Sequence, residues 1–298
     1  GGEGGPKLSW SNLLRPRRAR REETLNPGVV GTVFLLVLLG FFYVGTPLQL
    51  GNVKLGLILT QILVIAGIPI LAMVALGIPV VRTLRLSLPS RPQILLLAIL
   101  AAPGLTMLAA LIGIAQGLFL ETPQSYVELM ERLFRAETGG NLAVAILVFA
   151  VIPGFCEEVL FRGFVLRGLL SRTTPARAII WSSILFGVFH FDLYRLLPTA
   201  AMGLALGWVA WTTRSLWPVV VLHTVHNATA VLATYLDHVE GLKWLQDGKS
   251  IPVPVILGVA LVSGLATWGL VRLSRGEGGA PVIPPSPPDR PPGEPRGS

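Results

Sequence analysis

Residues 142–170 read LAVAILVFAVIPGFCEEVLFRGFVLRGLL, and the rest of the chain is interpreted from this stretch. A membrane-spanning helix needs about 20 predominantly apolar residues. This run supplies more, yet it holds Glu157, Glu158 and Arg162 in its middle. Ionisable groups at such depth are expensive and mark a functional site by default. The surrounding chain has the same apolar character: 52% of its 298 residues are hydrophobic and 13% charged, with a mean hydropathy of +0.67. Soluble domains carry about a quarter charged residues, so the chain reads as all-α, a polytopic bundle of transmembrane helices. Its net charge of +8 does not point to nucleic acid, because the basic residues flank hydrophobic runs instead of forming an aromatic-laced patch. They read as topology signals.

Eight apolar runs are expected to span: 27–44, 53–81, 93–120, 142–170, 176–191, 196–213, 216–236 and 251–273. The second, third and fourth exceed the bilayer thickness and must tilt, kink or project, with Pro69, Pro79 and Pro103 as kink positions. With a cytoplasmic N-terminus, 18 of the 24 Lys and Arg residues fall on the inner side, which predicts both termini in the cytoplasm. The domain plan is a basic tail over 1–26, a transmembrane domain over 27–275 with its motif-bearing core at 142–236, and a Pro/Gly-rich tail over 276–298 expected to be disordered. No removable signal peptide is expected at the Gly-rich start. Between the third and fourth runs, Tyr126, Met130, Leu133 and Phe134 recur at helical spacing against Glu128, Glu131 and Arg132. This predicts an interfacial amphipathic helix within 121–141, either a connector or a lid. The lone Cys156 excludes an intrachain disulfide and reads as a small core residue.

Three polar pairs repeat one spacing. Glu158 and Arg162 stand four apart and share a helical face, which leaves Glu157 about 100° around the helix and free for chemistry. Phe186 and His190 repeat the spacing on the fifth run, and His223 and Asn227 on the seventh. A turn at 171–175 is centred between Glu157 and His190, so an antiparallel hairpin puts both at one height, roughly 25 Å along the helices. His223 and Asn227, roughly 14 and 20 Å above Arg214, reach a similar layer. Hydrolysis needs a base for water, a proton donor for the leaving group and donors for the developing negative charge, and these residue types are the ingredients of such a site inside a membrane. His226 reads as a packing or hydrogen-bonded spare.

The ordered set EExxxR, FxxxH and HxxxN on successive hydrophobic segments, with Gly163 after the arginine, resembles the CAAX protease and bacteriocin-processing family of intramembrane proteases, often called CPBP or Abi. The resemblance covers residues 142–236. It implies that Glu157 and His190 activate the attacking water, that His223 and Asn227 stabilise the oxyanion, and that Glu158 and Arg162 support Glu157, with Phe186 beside His190. It implies a glutamic mechanism without a cofactor and a membrane-associated peptide substrate, either a prenylated CAAX-type terminus or a peptide or bacteriocin precursor; the compact chain suggests a prokaryotic plasma membrane. Four readings stay open beside it: a metal-dependent version with Glu157, His190 and His223 as ligands of a divalent ion such as zinc, a cysteine protease using Cys156, a proton-coupled transporter, and a non-catalytic scaffold.

Overall fold

The computed structural model describes residues 25–134, 139–236 and 253–275. Both expected tails, apart from Leu25 and Asn26, lie outside the described residues. Nine helices longer than two turns occur among those described: α1 Pro27–Gly51, α2 Val53–Ala75, α3 Gln93–Gly117, α4 Gln124–Phe134, α5 Asn141–Leu170, α6 Pro175–Phe189, α7 Leu196–Thr213, α8 Trp217–Leu236 and α9 Val253–Arg275.

Local chemistry sets their starts. Asn26 caps α1 by accepting from Val29 N–H at 2.9 Å, ahead of Pro27. Asn52, the single extended residue between α1 and α2, accepts from Leu55 N–H at 3.0 Å. Thr174 caps α6, whose first residue is Pro175. Such caps satisfy backbone donors that a helix cannot bond internally, and proline fits the first turn because its missing N–H is not needed there.

All eight expected runs contain a helix, with two corrections to their spanning. Among the described residues, six helices are long and apolar enough to cross a membrane, α1, α2, α3, α5, α7 with its leading turn, and α9. Helix α6 has 15 residues, roughly 22 Å of rise, short of the ~30 Å hydrocarbon core. Helix α8 is long enough but carries His223, His226, Asn227, Thr224 and Thr229, which dilute its apolar character. The second run stops early. Its helix ends at Ala75, and Gly77 (φ 70°) and the extended Pro79 lead into a separate turn, Val80–Thr83. Pro79 therefore terminates structure where a kink was expected, whereas Pro103 sits inside α3. The amphipathic segment is helical, as expected, over Gln124–Phe134.

Helix α5 is the centre of the bundle: 61% of its most apolar window is buried, against 17% for α9. It packs on α2 and α8 along its middle and on α6 and α7 beyond Glu158. Its regular turns are interrupted by wide π-helical stretches at Leu147–Val151 and Val159–Val165, and α2 has one at Thr60–Ala66. Such insertions recur at functional sites, and here two of them flank the α2–α5 contact.

Close approach of α8 to α5 depends on Gly154. A Cβ built there would stand 2.4 Å from Thr224 Oγ1 and 3.1 Å from the Thr224 backbone. Gly154→Ala should therefore push α8 outward and destabilise the bundle by about 1 to 3 kcal/mol. Gly258→Ala in α9, whose Cβ would meet nothing within 4 Å, should leave the melting temperature at or above wild type. Parallel thermal unfolding of the two detergent-solubilised variants checks the pair, and equal melting temperatures would remove the tight α5–α8 contact.

Candidate active site

The site is built around a buried ion pair. Glu158 and Arg162 have fully buried side chains, and Arg162 Nη1 donates to Glu158 Oε1 at 2.9 Å. One turn of helix brings the two together, as their spacing requires. Arg162 then reaches across to α7, where Nη2 donates to Gly203 O at 3.0 Å. Gly203 packs directly on Ser183 of α6, with no room for a side chain. The guanidinium carbon lies 4.4 Å from the ring centroid of Phe186, a cation–π contact whose value grows with desolvation. Phe186 also meets His190 and His223 edge-on, at 4.8 and 5.7 Å between centroids. Its ring is the wedge between the arginine and both histidines.

Glu158 has a second partner. His223 Nδ1 lies 2.7 Å from the same Oε1, so the carboxylate fixes the imidazole, whose Nδ1–H donates and whose Nε2 points away. Glu158 thus also orients His223. His190 is oriented in the same manner by a backbone group, with Nδ1 2.8 Å from Phe186 O. A carbonyl only accepts, so Nδ1 carries hydrogen and Nε2 again faces inward.

Both Nε2 atoms converge on one oxygen. Glu157 Oε2 lies 3.9 Å from His190 Nε2 and 3.9 Å from His223 Nε2. That oxygen is buried and without a hydrogen-bond partner. The other carboxylate oxygen is held from a helix the sequence reading did not single out: Gln61 Nε2 on α2 donates to Glu157 Oε1 at 2.8 Å. Gln61 is itself 4% exposed. The signal that could have found it is a lone amide inside an otherwise apolar run, which must be satisfied somewhere.

Asn227 stands one turn beyond His223 on α8, half-buried, and makes no side-chain hydrogen bond among the described residues. His226 is the hydrogen-bonded spare expected of it, with Nδ1 3.0 Å from Thr106 Oγ1. Cys156 is a buried free thiol. The loop after His190 is pinned from outside. Gln116 at the end of α3 donates to Leu193 O at 2.8 Å and accepts from Leu197 N–H at 2.9 Å. Tyr126 of α4 donates to Asp192 Oδ2, and burial first, then that bond, pushes the phenol above its ordinary range.

A tetrahedral zinc site with bonds near 2.0 to 2.1 Å needs ligand atoms roughly 3.3 Å apart. The 3.9 Å separations here are wider, and no group of three His, Cys, Asp or Glu residues among those described has metal-ligand spacing. As placed, the ligand atoms of Glu157, His190 and His223 stand farther apart than a tetrahedral zinc site requires.

Comparison with known proteins falls on this same region. Residues 139–229 match the family described as Type II CAAX prenyl endopeptidase Rce1-like, a span that includes every residue of the three motifs. The chain is also similar to a Bacillus subtilis (strain 168) protein named "Putative membrane peptidase YdiL", 26% identical over 113 residues, which are 38% of this chain and 45% of that relative. The chain thus matches less than half of that relative's length. No solved structure matches it. The family match thus covers all three motifs, and within it Glu157, His190 and His223 meet around one buried oxygen.

Proposed function

We propose that the protein is an intramembrane endopeptidase that hydrolyses a peptide bond in a membrane-associated substrate, either a prenylated CAAX-type terminus or a peptide precursor. The observation that carries this reading is Glu157 Oε2, buried, unpartnered and facing two imidazoles. In the proposed reaction Glu157 takes a proton from water as the water oxygen attacks the scissile carbonyl carbon. The oxyanion of the tetrahedral intermediate accepts from His223 Nε2–H and from the Asn227 amide. As the C–N bond breaks, the proton held by Glu157 passes to the leaving amine, directly or through His190 Nε2. For Nε2 to donate, His223 must carry a proton on each nitrogen, with Glu158 as its counter-charge. The arginine asymmetry supports an orientation with both termini cytoplasmic, and the membrane in this proposal is a prokaryotic plasma membrane.

Glu157→Gln is isosteric and removes only the base, so cleavage of a membrane-tethered peptide should fall at least about 100-fold while the fold is kept. Wild-type protein stripped with a chelator and shown metal-free by elemental analysis should keep its rate. Wild-type turnover by Glu157→Gln would remove Glu157 as the base, no turnover by the wild type itself would favour a scaffold, and loss of rate on stripping, restored by zinc, would favour metal chemistry.

Asn227→Ala should slow single-turnover cleavage by roughly 10² to 10³ with little change in substrate affinity, because an oxyanion contact strengthens only in the transition state. Asn227→Asp should do no better, since an ionised carboxylate lacks the donor. A packing role gives the opposite pattern, a lower melting temperature with an almost normal rate in the folded fraction.

Gln61 is a positioning residue in this mechanism. Gln61→Leu leaves Glu157 Oε1 without its donor and should lower kcat by about 10- to 100-fold, the rate equivalent of the 1.5 to 3 kcal/mol typical of a hydrogen bond to a charged group. Gln61→Asn, which keeps the amide on a shorter stem, should recover part of the rate. A merely structural role predicts unchanged kcat per folded molecule, read from kinetics normalised to the folded fraction.

A further inference from the structure

The layer that holds Glu157, His190 and His223 is closed toward one end of the bundle. Along α5 every residue from Cys156 to Leu166 is buried. Leu84, 1% exposed, fills the notch at Gly163, where a Cβ would stand 2.5 Å from Leu84 Cδ2. Ser182 and Ser183 of α6 and Val219, Val220 and Leu222 of α8 complete the plug. It leads to the end where α2, α5, α7 and α9 stop, which carries Arg82, Arg85, Arg167, Arg214 and Arg272 and, among the described residues, no acidic side chain.

Toward the other end the described residues leave the layer open. Every residue of α8 from Thr224 to Thr229 is half-buried, more than one full turn, so this exposure is not a single lipid-facing stripe. The set includes Thr224, His226, Asn227 and Thr229, and polar side chains at membrane depth face protein or water rather than lipid. Asn227, with no side-chain hydrogen bond among the described residues, therefore faces water. The length of α6 widens the opening. Its rise of roughly 22 Å is less than the ~30 Å hydrocarbon core, so His190 at its end and the exposed Phe191 and Leu193 stand in a recess below the membrane boundary. Gln116 of α3 and Tyr126 of α4 border that recess through Leu193 and Asp192. The basic residues described at this end, Lys54, Arg132 and Arg195, are matched by Glu121, Glu128 and Asp192.

We propose that the site is entered from the outer face of the membrane, and that its substrate is an exported peptide segment presented by a chain tethered on that side. Basic residues mark the cytoplasmic ends of spanning helices, so the plugged end faces the cytoplasm and the recess opens outward. The scissile carbonyl and the attacking water must both reach Glu157 Oε2, and among the described residues the recess is the approach that leads there. A lipidated terminus held in the cytoplasm would have to pass the plug, which favours the peptide precursor of the two substrate classes. The choice of substrate rests on the peptidase reading; the side of entry rests on packing and charge alone.

The test labels the full chain in its membrane with a membrane-impermeant sulfonated maleimide, applied to intact spheroplasts or to inverted vesicles, in a Cys156→Ser background. Asn227→Cys should label from the outer face and stay unlabelled from the inner face. His190→Cys repeats the measurement from α6 if the α8 variant does not fold. Leu193→Cys beside the recess and Leu88→Cys at the arginine end, both exposed, fix the orientation, the first labelling from outside and the second from inside. Labelling of either site cysteine from the inner face, failure of both to label from the outer face, or labelling of Leu88→Cys from outside would overturn the proposal. The substrate's side is read by comparing the termini of membrane proteins in cells carrying wild type or Glu157→Gln. Cuts lost in the variant should lie on the outer side, and cuts on the cytoplasmic side would overturn the exported substrate. Identical termini in the two strains would overturn the peptidase reading and the exported substrate with it, while the labelling still decides the side of entry.

Discussion

The arrangement depends on a guanidinium buried where water cannot reach it. Arg162 is 1% exposed and Glu158 fully buried, and in an apolar bundle either charge alone would cost several kcal/mol. Their pairing is therefore obligatory, and its consequences spread to the neighbouring helices. The hydrogen bond to Gly203 O ties α5 to α7, the face of Phe186 ties it to α6, and the second acceptance by Glu158 ties it to His223 on α8. One pair of opposite charges thus fixes the mutual position of the four helices that form residues 142–236.

Both carboxylates sit on adjacent positions of one helix yet have different surroundings. Oε1 of Glu158 is occupied by Arg162 and by the His223 N–H, so that side chain is a fixed anchor. Glu157 is held through Oε1 by a neutral amide, and its Oε2 has no hydrogen-bond partner. Pairs of acidic groups placed in contrasting environments are a recurrent way to divide labour within a site. Here the contrast arises from helix geometry: the two side chains leave α5 about 100° apart, one toward α6, α7 and α8, the other toward α2.

Much of this was legible from spacing. The four-residue interval between Glu158 and Arg162 dictated their pairing, and a hairpin turning at 171–175 put Glu157 opposite His190, now 3.9 Å apart. The runs themselves were visible because apolar length is a strong signal. The missing parts are tertiary. Nothing in the run 53–81 says that Gln61 faces α5, since that depends on how α2 rotates in its packing. The bond from Glu158 to His223 joins residues 65 positions apart, and both the ion pair and this contact satisfy the same sequence pattern. The early end of α2 was misread because hydropathy continues through Leu76, Ile78, Val80 and Val81, whereas the backbone is turned by Gly77 and Pro79.

The same packing logic explains why polar helices can sit in this bundle. Helix α8 would be a poor span alone, because His223, His226, Thr224 and Thr229 are expensive against lipid. Each has an internal partner or a packed contact: His223 on Glu158, His226 on Thr106, Thr229 on His226 O, and Thr224 against Gly154. Helix α6, too short to cross by itself, places Phe186 between Arg162 and the histidines, and buries Ser182 and Ser183 against α5 and its own backbone. The six apolar helices supply hydrophobic length around these two. Asn227 stands apart from this pattern, half-buried on α8 with no hydrogen bond among the described residues. A fully buried amide would need a partner within the fold, a need that the half-buried Asn227 does not have.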